Sequence, residues 1–240
     1  MNRIYSGNPS LSKSTRATSI TANSQSLSYG TAVTSTFTAG SLSGADSVTS
    51  VTFTYLGTGS TTYRSSTTAP TNTGTYTVTP SAAIFSVGSA ANYTITYLAG
   101  SLTITSRAIT VLPGNQIVIY GGSLTNSLSL SVGSLLGSDA LSAGSTIYSY
   151  LGTGSTTYGP STTAPTTPGT YQISVSSLSF ASGSATNYNI SFASASLTIS
   201  TRATSITANS QSLTYGTALT STFTAAPFSG AASTTRVTFT

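Results

Sequence analysis

The chain has 240 residues; 97 are Ser or Thr, and only nine are charged, seven Lys or Arg against two Asp. Cys, His, Trp and Glu are absent. The usual acid–base, nucleophile and metal-ligand sets cannot be assembled, so no enzyme, cofactor or metal is expected. The net charge of +5 comes from scattered cations, no two adjacent, which is not the clustered footprint of a nucleic-acid binder.

An internal repeat sets the order of the elements. Aligning Arg16 with Arg107 lays Ile4 on Ile95 and Ser10-Leu11 on Ser101-Leu102. Residues 1–15 therefore read as the remnant of a preceding module, with Lys13 at a core position held by Ile104 and Ile199. Residues 16–106 form a first complete module. Val51-Phe53-Tyr55, Tyr76-Val78, Tyr93-Ile95-Tyr97 and Leu102-Ile104 alternate with period 2, and Thr52, Thr54, Thr77, Thr94 and Thr96 take the outward positions. Gly and Pro punctuate these runs, and residues 98–102 predict a tight hairpin between the last two strands. About seven short strands in roughly 92 residues suit a small β-sandwich, and no window has a helical period.

Residues 107–201 repeat the pattern. GTGSTTY at 57–63 returns at 152–158, GTY at 74–76 returns at 169–171, and the Asn92-Tyr93 pair returns at 187–188, each offset by 95. Tyr-Gly pairs begin at Tyr29, Tyr120 and Tyr215, spaced 91 and 95 apart. The second module therefore carries four extra residues between Tyr120 and Gly152, on either side of Asp139, where loops absorb insertions at low cost. Residues 202–240 begin a truncated third module; 202–225 differ from 16–39 only at Ser28/Thr214 and Val33/Leu219. Only Ser106-Arg107 joins the complete modules, so limited bending is expected there. No run approaches the length of a membrane span, and the first residues contain no apolar export core. A leader or anchor is expected to lie outside this stretch.

The order Ile20-Thr21-Ala22-Asn23, Tyr29-Gly30, Gly44-Ala45-Asp46, Gly74-Thr75-Tyr76, Asn92-Tyr93, Gly100-Ser101-Leu102-Thr103-Ile104 resembles the MBG-type repeats of bacterial surface proteins. The closest match is the variety marked by a Tyr-Gly pair. This resemblance implies an all-β tandem array of small Ig-like β-sandwich modules, with β-grasp-like modules as the alternative. It also implies an exported, non-catalytic, adhesin-like protein at the bacterial cell surface. The second module departs at Pro113-Gly114, and the third has Ala232 at the acidic position.

Several residues admit two readings. Tyr55, Tyr63, Tyr150 and Tyr158 flank the GTGSTTY loops and are the candidates for stacking on glycans; alternatively a Gly-Thr-Gly-Ser turn needs no ligand. Asp46 and Asp139 supply one carboxylate per module, too few for calcium, and fit turns better. Tyr76 and Tyr171 follow a turn as a tyrosine corner does. Glycine in the Tyr-Gly pairs suits a positive φ. Arg16, Arg107 and Arg202 recur once per module, as an anion ladder or as aliphatic packing at the junctions. Three functions are consistent with this pattern: a stalk or spacer whose partners are neighbouring modules of the same chain, modules that themselves bind glycans or a host or biofilm surface, or an orphan fragment of a larger frame.

Overall fold

The computed structural model describes residues 13–226 and 237–238. Ile4, Ser10-Leu11 and Ala232 lie outside the described residues. Two compact units emerge. One runs to Arg107 and takes in the short segment Thr186–Asn189; the other comprises Ala108–Ala185 and the chain from Ile190 onward.

Alternating apolar and Thr positions shape the first unit into seven strands: β1 (Arg16–Ala22), β2 (Gln25–Ser28), β3 (Phe37–Ala39), β4 (Ser47–Gly57), β5 (Gly74–Val87), β6 (Tyr93–Leu98) and β7 (Gly100–Thr105). They form a three-stranded sheet in the order β3-β1-β6 and a four-stranded sheet in the order β2-β7-β5-β4. β1 runs parallel to β6, and β2 runs parallel to β7. The chain thus changes sheet at every connection but β4 to β5, most tightly at Asn23-Ser24 and at Ala99. The hairpin expected at 98–102 is instead a crossover, because β6 and β7 belong to different sheets. Gly100 sits there because a Cβ would overlap the Ala22 carbonyl. Inward positions make a core of Ala22, Tyr55, Tyr76, Val78, Leu102 and Ile104, with Leu27, Tyr29, Phe53 and Tyr63 packed against it.

The second unit repeats the plan with β8 (Arg107–Pro113), β9 (Gln116–Ile119), β10 (Leu128–Val132), β11 (Ala140–Gly152), β12 (Gly169–Ser182), β13 (Tyr188–Phe192) and β14 (Ala195–Ser200). Sheet orders are β10-β8-β13 and β11-β12-β14-β9. Tyr150, Tyr171, Ile173, Ala195, Leu197 and Ile199 form its core. β10 and β11, on either side of Asp139, have 5 and 13 residues where β3 and β4 have 3 and 11. The insertion therefore lengthens strands rather than loops.

The architecture is all-β, a tandem pair of small two-sheet sandwiches. Among the described residues the only helices are 3-10 turns at Ala90–Asn92 and Ala185–Asn187, so no helix packs on a sheet as the β-grasp alternative requires. Further on, β15 (Ile206–Ala208) and β16 (Phe223–Ala225) pair in the register of β1 and β3. Lys13 lies in no strand and is exposed. That placement spares the cost of burying an unpaired ammonium at the core position the repeat assigns it.

Candidate functional site

The GTGSTTY loop leaves β4 at Gly57 and returns to bridge its own strand. Gly57 N donates to Tyr63 O at 2.9 Å, and Thr61 N donates to Thr58 O at 3.0 Å, closing a turn through Gly59 with φ 61°. Tyr55 and Ser66 exchange backbone bonds at 2.8 and 3.0 Å. A Cβ on Gly57 would overlap Thr61 O, so the loop folds this tightly only on glycine. The second unit reproduces the geometry: Gly152 N to Tyr158 O is 2.8 Å, and Tyr150 bridges Ser161.

All four tyrosines proposed for glycan stacking are engaged inside this frame. Tyr55 and Tyr150 are buried. The Tyr55 hydroxyl meets Ser35 Oγ at 2.8 Å, and the Tyr150 hydroxyl accepts from Asn126 Nδ2 at 2.7 Å. Neither ring presents a face to a sugar. Tyr63 and Tyr158 are half-buried and donate to the carbonyls of Thr68 and Thr163 at 2.8 and 2.7 Å. Their rings stand edge-on against Tyr76 and Tyr171, with centroids 5.7 and 5.6 Å apart. Tyr76 and Tyr171 in turn donate to the carbonyls four residues upstream, Asn72 and Thr167, both at 2.7 Å. That is the tyrosine-corner arrangement. Beside the loop, Ser60, Thr61, Thr62, Tyr63, Asn72 and Thr73 contribute to a polar cleft of about 400 Å³.

Asp46 also serves the frame. Its carboxylate accepts from the Tyr93 hydroxyl at 2.7 Å, while that hydroxyl accepts from Ser43 N at 2.8 Å. Burial raises the Tyr93 pKa; the bond from Ser43 offsets part of this, and the Asp46 bond and charge add to it. The carboxylate lies over Gly88, where any Cβ would overlap it, and Asp139 stands over Gly183 in the same way. Sequence reasoning missed this Asp–Gly pairing, although both glycines recur at the repeat offset. Among the described residues no three His, Cys, Asp or Glu side chains group around a metal position. Arg16 and Arg202 are exposed, and Arg107 is half-buried.

The Tyr-Gly pairs mark the exit from β2 and β9. Gly30, Gly121 and Gly216 have φ of 90°, 81° and 90°, as expected for glycine. Tyr29 N and Tyr120 N bond the ends of β7 and β14, at Thr105 O and Ser200 O, both 2.8 Å. A family model described as MBG domain (YGX type) matches residues 19–103 and again 109–198. The chain belongs to this family.

Both MBG matches take in the Tyr-Gly exit and the tyrosine corner of their unit. None of the curated proteins compared with the chain matches it significantly. Solved structures titled as the N-terminal four Ig domains of Dscam1 are similar in part. Isoform 4.4 is 13% identical over 82% of this chain and 45% of that one, with a TM-score of 0.28. Isoform 4.44 is 11% identical over 79% and 45%, with a TM-score of 0.27. The chain spans less than half the length of those structures, and likeness at this level carries no argument.

Proposed function

We propose that this pair of MBG modules is a structural repeat segment, a stalk or spacer, of an exported bacterial surface or secreted adhesin. The observation that supports this is where the polar side chains are used. Tyr55, Tyr63, Tyr76 and Tyr93, with Asp46, close hydrogen bonds within the first unit's own framework, and Tyr150, Tyr158 and Tyr171 do the same in the second. Tandem repetition of a self-satisfied module adds length without adding chemistry, and scarce Lys and Arg leave few sites for trypsin-like proteases.

Single-molecule stretching tests the spacer. Each module should unfold in its own force event and release on the order of 30 nm of contour, from roughly 92 residues at about 3.3–3.6 Å each. A single merged event, or none, would refute independent load-bearing modules. The competing reading, modules that bind glycans, rests on the polar cleft beside Tyr63. It predicts reproducible glycan-array binding by the 240-residue chain that is lost in Tyr63→Ala and Tyr158→Ala, and that result would displace the spacer.

A further inference from the structure

The strands at which the chain enters and leaves the first unit are held by parallel pairing. The chain enters at β1 and leaves at β7. β1 pairs in parallel with β6, from Arg16 beside Tyr93 to Thr21 beside Leu98. β2 pairs in parallel with β7, from Gln25 beside Leu102 to Ser28 beside Thr105. Tension along the chain pulls β1 and β2 from their N-terminal side and β7 from its C-terminal side. Parallel partners pulled from opposite ends slide along one another, so their bonds resist in shear and share the load. The antiparallel β4–β5 pair behaves differently: drawing its register partners Ser47 and Val87 apart opens it one bond at a time.

Both ends of the β2–β7 ladder are extended beyond the paired residues. At its start, Ser24 Oγ accepts from Ser101 N at 3.0 Å. At its end, Thr105 Oγ1 donates to Leu27 O at 3.1 Å, and Tyr29 N donates to Thr105 O at 2.8 Å. Thr105 is the last residue of β7, where load leaves the strand. Directly after the Tyr29 bond the chain turns off the ladder through Gly30, with φ 90°, and Thr31 N closes the turn on Ser28 O at 3.0 Å. The second unit rebuilds this frame from different residues. Asn115 replaces Ser24, and its Oδ1 accepts from Ser196 N at 2.8 Å. β9 runs parallel to β14, from Gln116 beside Leu197 to Ile119 beside Ser200. Tyr120 N donates to Ser200 O at 2.8 Å, and Gly121 has φ 81°. The strand between the end bonds changes from Gln-Ser-Leu-Ser to Gln-Ile-Val-Ile, yet the end bonds persist.

We infer that the Tyr-Gly exit is the catch of a mechanical clamp. The parallel β2–β7 pair, held at one end by Ser24 and at the other by the Tyr29 amide, sets the force at which the first module yields. Asn115, the β9–β14 pair and the Tyr120 amide do the same in the second. The tension itself belongs to the spacer reading, on which this clamp rests. Glycine after the tyrosine lets the chain turn away only once the last shared bond has been made. Such a clamp governs the unfolding rate under load rather than the equilibrium stability, because its bonds are those broken on the way to the transition state. Contacts away from it, such as Asp46 over Gly88, are still intact at that point.

The test is single-molecule stretching of the 240-residue chain in two directions. The chain has no Cys, so paired cysteine handles choose where force is applied. Handles at Ser14→Cys and Ser106→Cys, both exposed, load the first unit in shear. Handles at Thr49→Cys and Val87→Cys, also exposed, load the same unit across the β4–β5 pair. The second arrangement should yield at about half the force of the first or less, since its bonds are met in turn. Equal forces would overturn the proposal. Under the shear handles, Ser24→Ala and Gly30→Ala should each lower the yield force. Gly88→Ala also puts a side chain at a positive φ; it should lower the urea midpoint and leave the force unchanged. A force that follows the urea midpoint across all three variants would equally overturn the clamp. The comparison of handles keeps the native residue at each of those positions, so it decides the matter even where a variant fails to fold. These handles load one unit and leave the spacer to the end-to-end experiment. Two separate end-to-end events with equal handle forces would remove the clamp and keep the spacer; one merged event with unequal handle forces would do the reverse.

Discussion

Replacing Gly88 by Ala tests whether the acidic position of each module is a structural post. Gly88 has φ 88°, a conformation that costs an L-residue about 1–2 kcal/mol. The new Cβ would also overlap the Asp46 carboxylate and force it off the Tyr93 hydroxyl. A hydrogen bond to a charged group contributes about 1.5–3 kcal/mol, so Gly88→Ala should destabilise the first unit by about 3–5 kcal/mol in all. In an Asp46→Ala background the overlap is gone, and only the backbone cost of about 1–2 kcal/mol should remain. Hydrogen exchange on the full chain reads both. Peptides from β6 report the loss, and peptides from β14 serve as the internal control. Additivity of the two substitutions to within about 0.5 kcal/mol would refute the reasoning, because uncoupled sites add and touching ones do not.

Tyr76→Phe and Tyr171→Phe keep the packed rings but remove the corner bonds to Asn72 O and Thr167 O; each should lower the unfolding free energy of its unit by about 1 kcal/mol, read from the urea midpoint at unchanged slope. Thr18→Val should stabilise by about 1 kcal/mol and raise the melting temperature by several degrees, because Thr18 Oγ1 is buried without a partner and the second module places fully buried Ile109 there. Tyr76, Tyr93 and Tyr148 have pKa values raised above the ordinary 10.0, foremost by burial, with the neighbouring Tyr63 and Tyr150 adding to Tyr76 and Tyr148. The unfolded chain therefore loses these protons first, so their contribution is intact below pH 10 and lost as pH climbs through the raised values; melting curves that do not shift downward above pH 10 would contradict this.

Much of the fold was legible because its determinants are periodic. Tyr76-Val78 and Leu102-Ile104 alternate with Thr and point inward as the pattern requires. The glycines of the Tyr-Gly pairs and the corner tyrosines could be read because each solves a local backbone problem. The sheet assignment of β6 and β7 was not legible. Leu98-Ala-Gly-Ser-Leu102 has the composition of a hairpin turn, and only the approach of Gly100 to the Ala22 carbonyl, from the other end of the module, converts it into a crossover. The tyrosine sites were obscured for a similar reason. Tyr55 and Tyr150 flank a loop in sequence, yet the Ser35 and Asn126 groups that engage their hydroxyls come from distant turns. Asp46 does close a turn through its backbone, Asp46 N to Ser43 O at 3.0 Å, but its carboxylate takes the Tyr93 hydroxyl rather than the neighbouring backbone N–H groups expected of a turn aspartate, and the role of Gly88 beneath it needs three dimensions.

Residues 16–39 and 202–225 separate what this sequence encodes locally from what it borrows. In both, the first strand pairs with the third in the same register. In both, one asparagine clamps the chain: Asn23 bonds Thr36 Oγ1 at 2.9 Å and Thr38 Oγ1 at 2.8 Å, and Asn209 bonds Thr222 Oγ1 at 3.0 Å and Thr224 Oγ1 at 2.7 Å. This much lies within 24 residues. Burial does not. Ile20 is 0% exposed and Ile206 is 46%; Tyr29 is half-buried, while Tyr215 is fully exposed. Gln25–Ser28 is a strand on the edge that β7 offers it, whereas Gln211–Thr214 is not assigned to a strand. In the first unit the last two strands supply the edges on which β1 and β2 pair. β6 and β7 convert a clamped hairpin, which alone could not be stable in water, into one side of a sandwich.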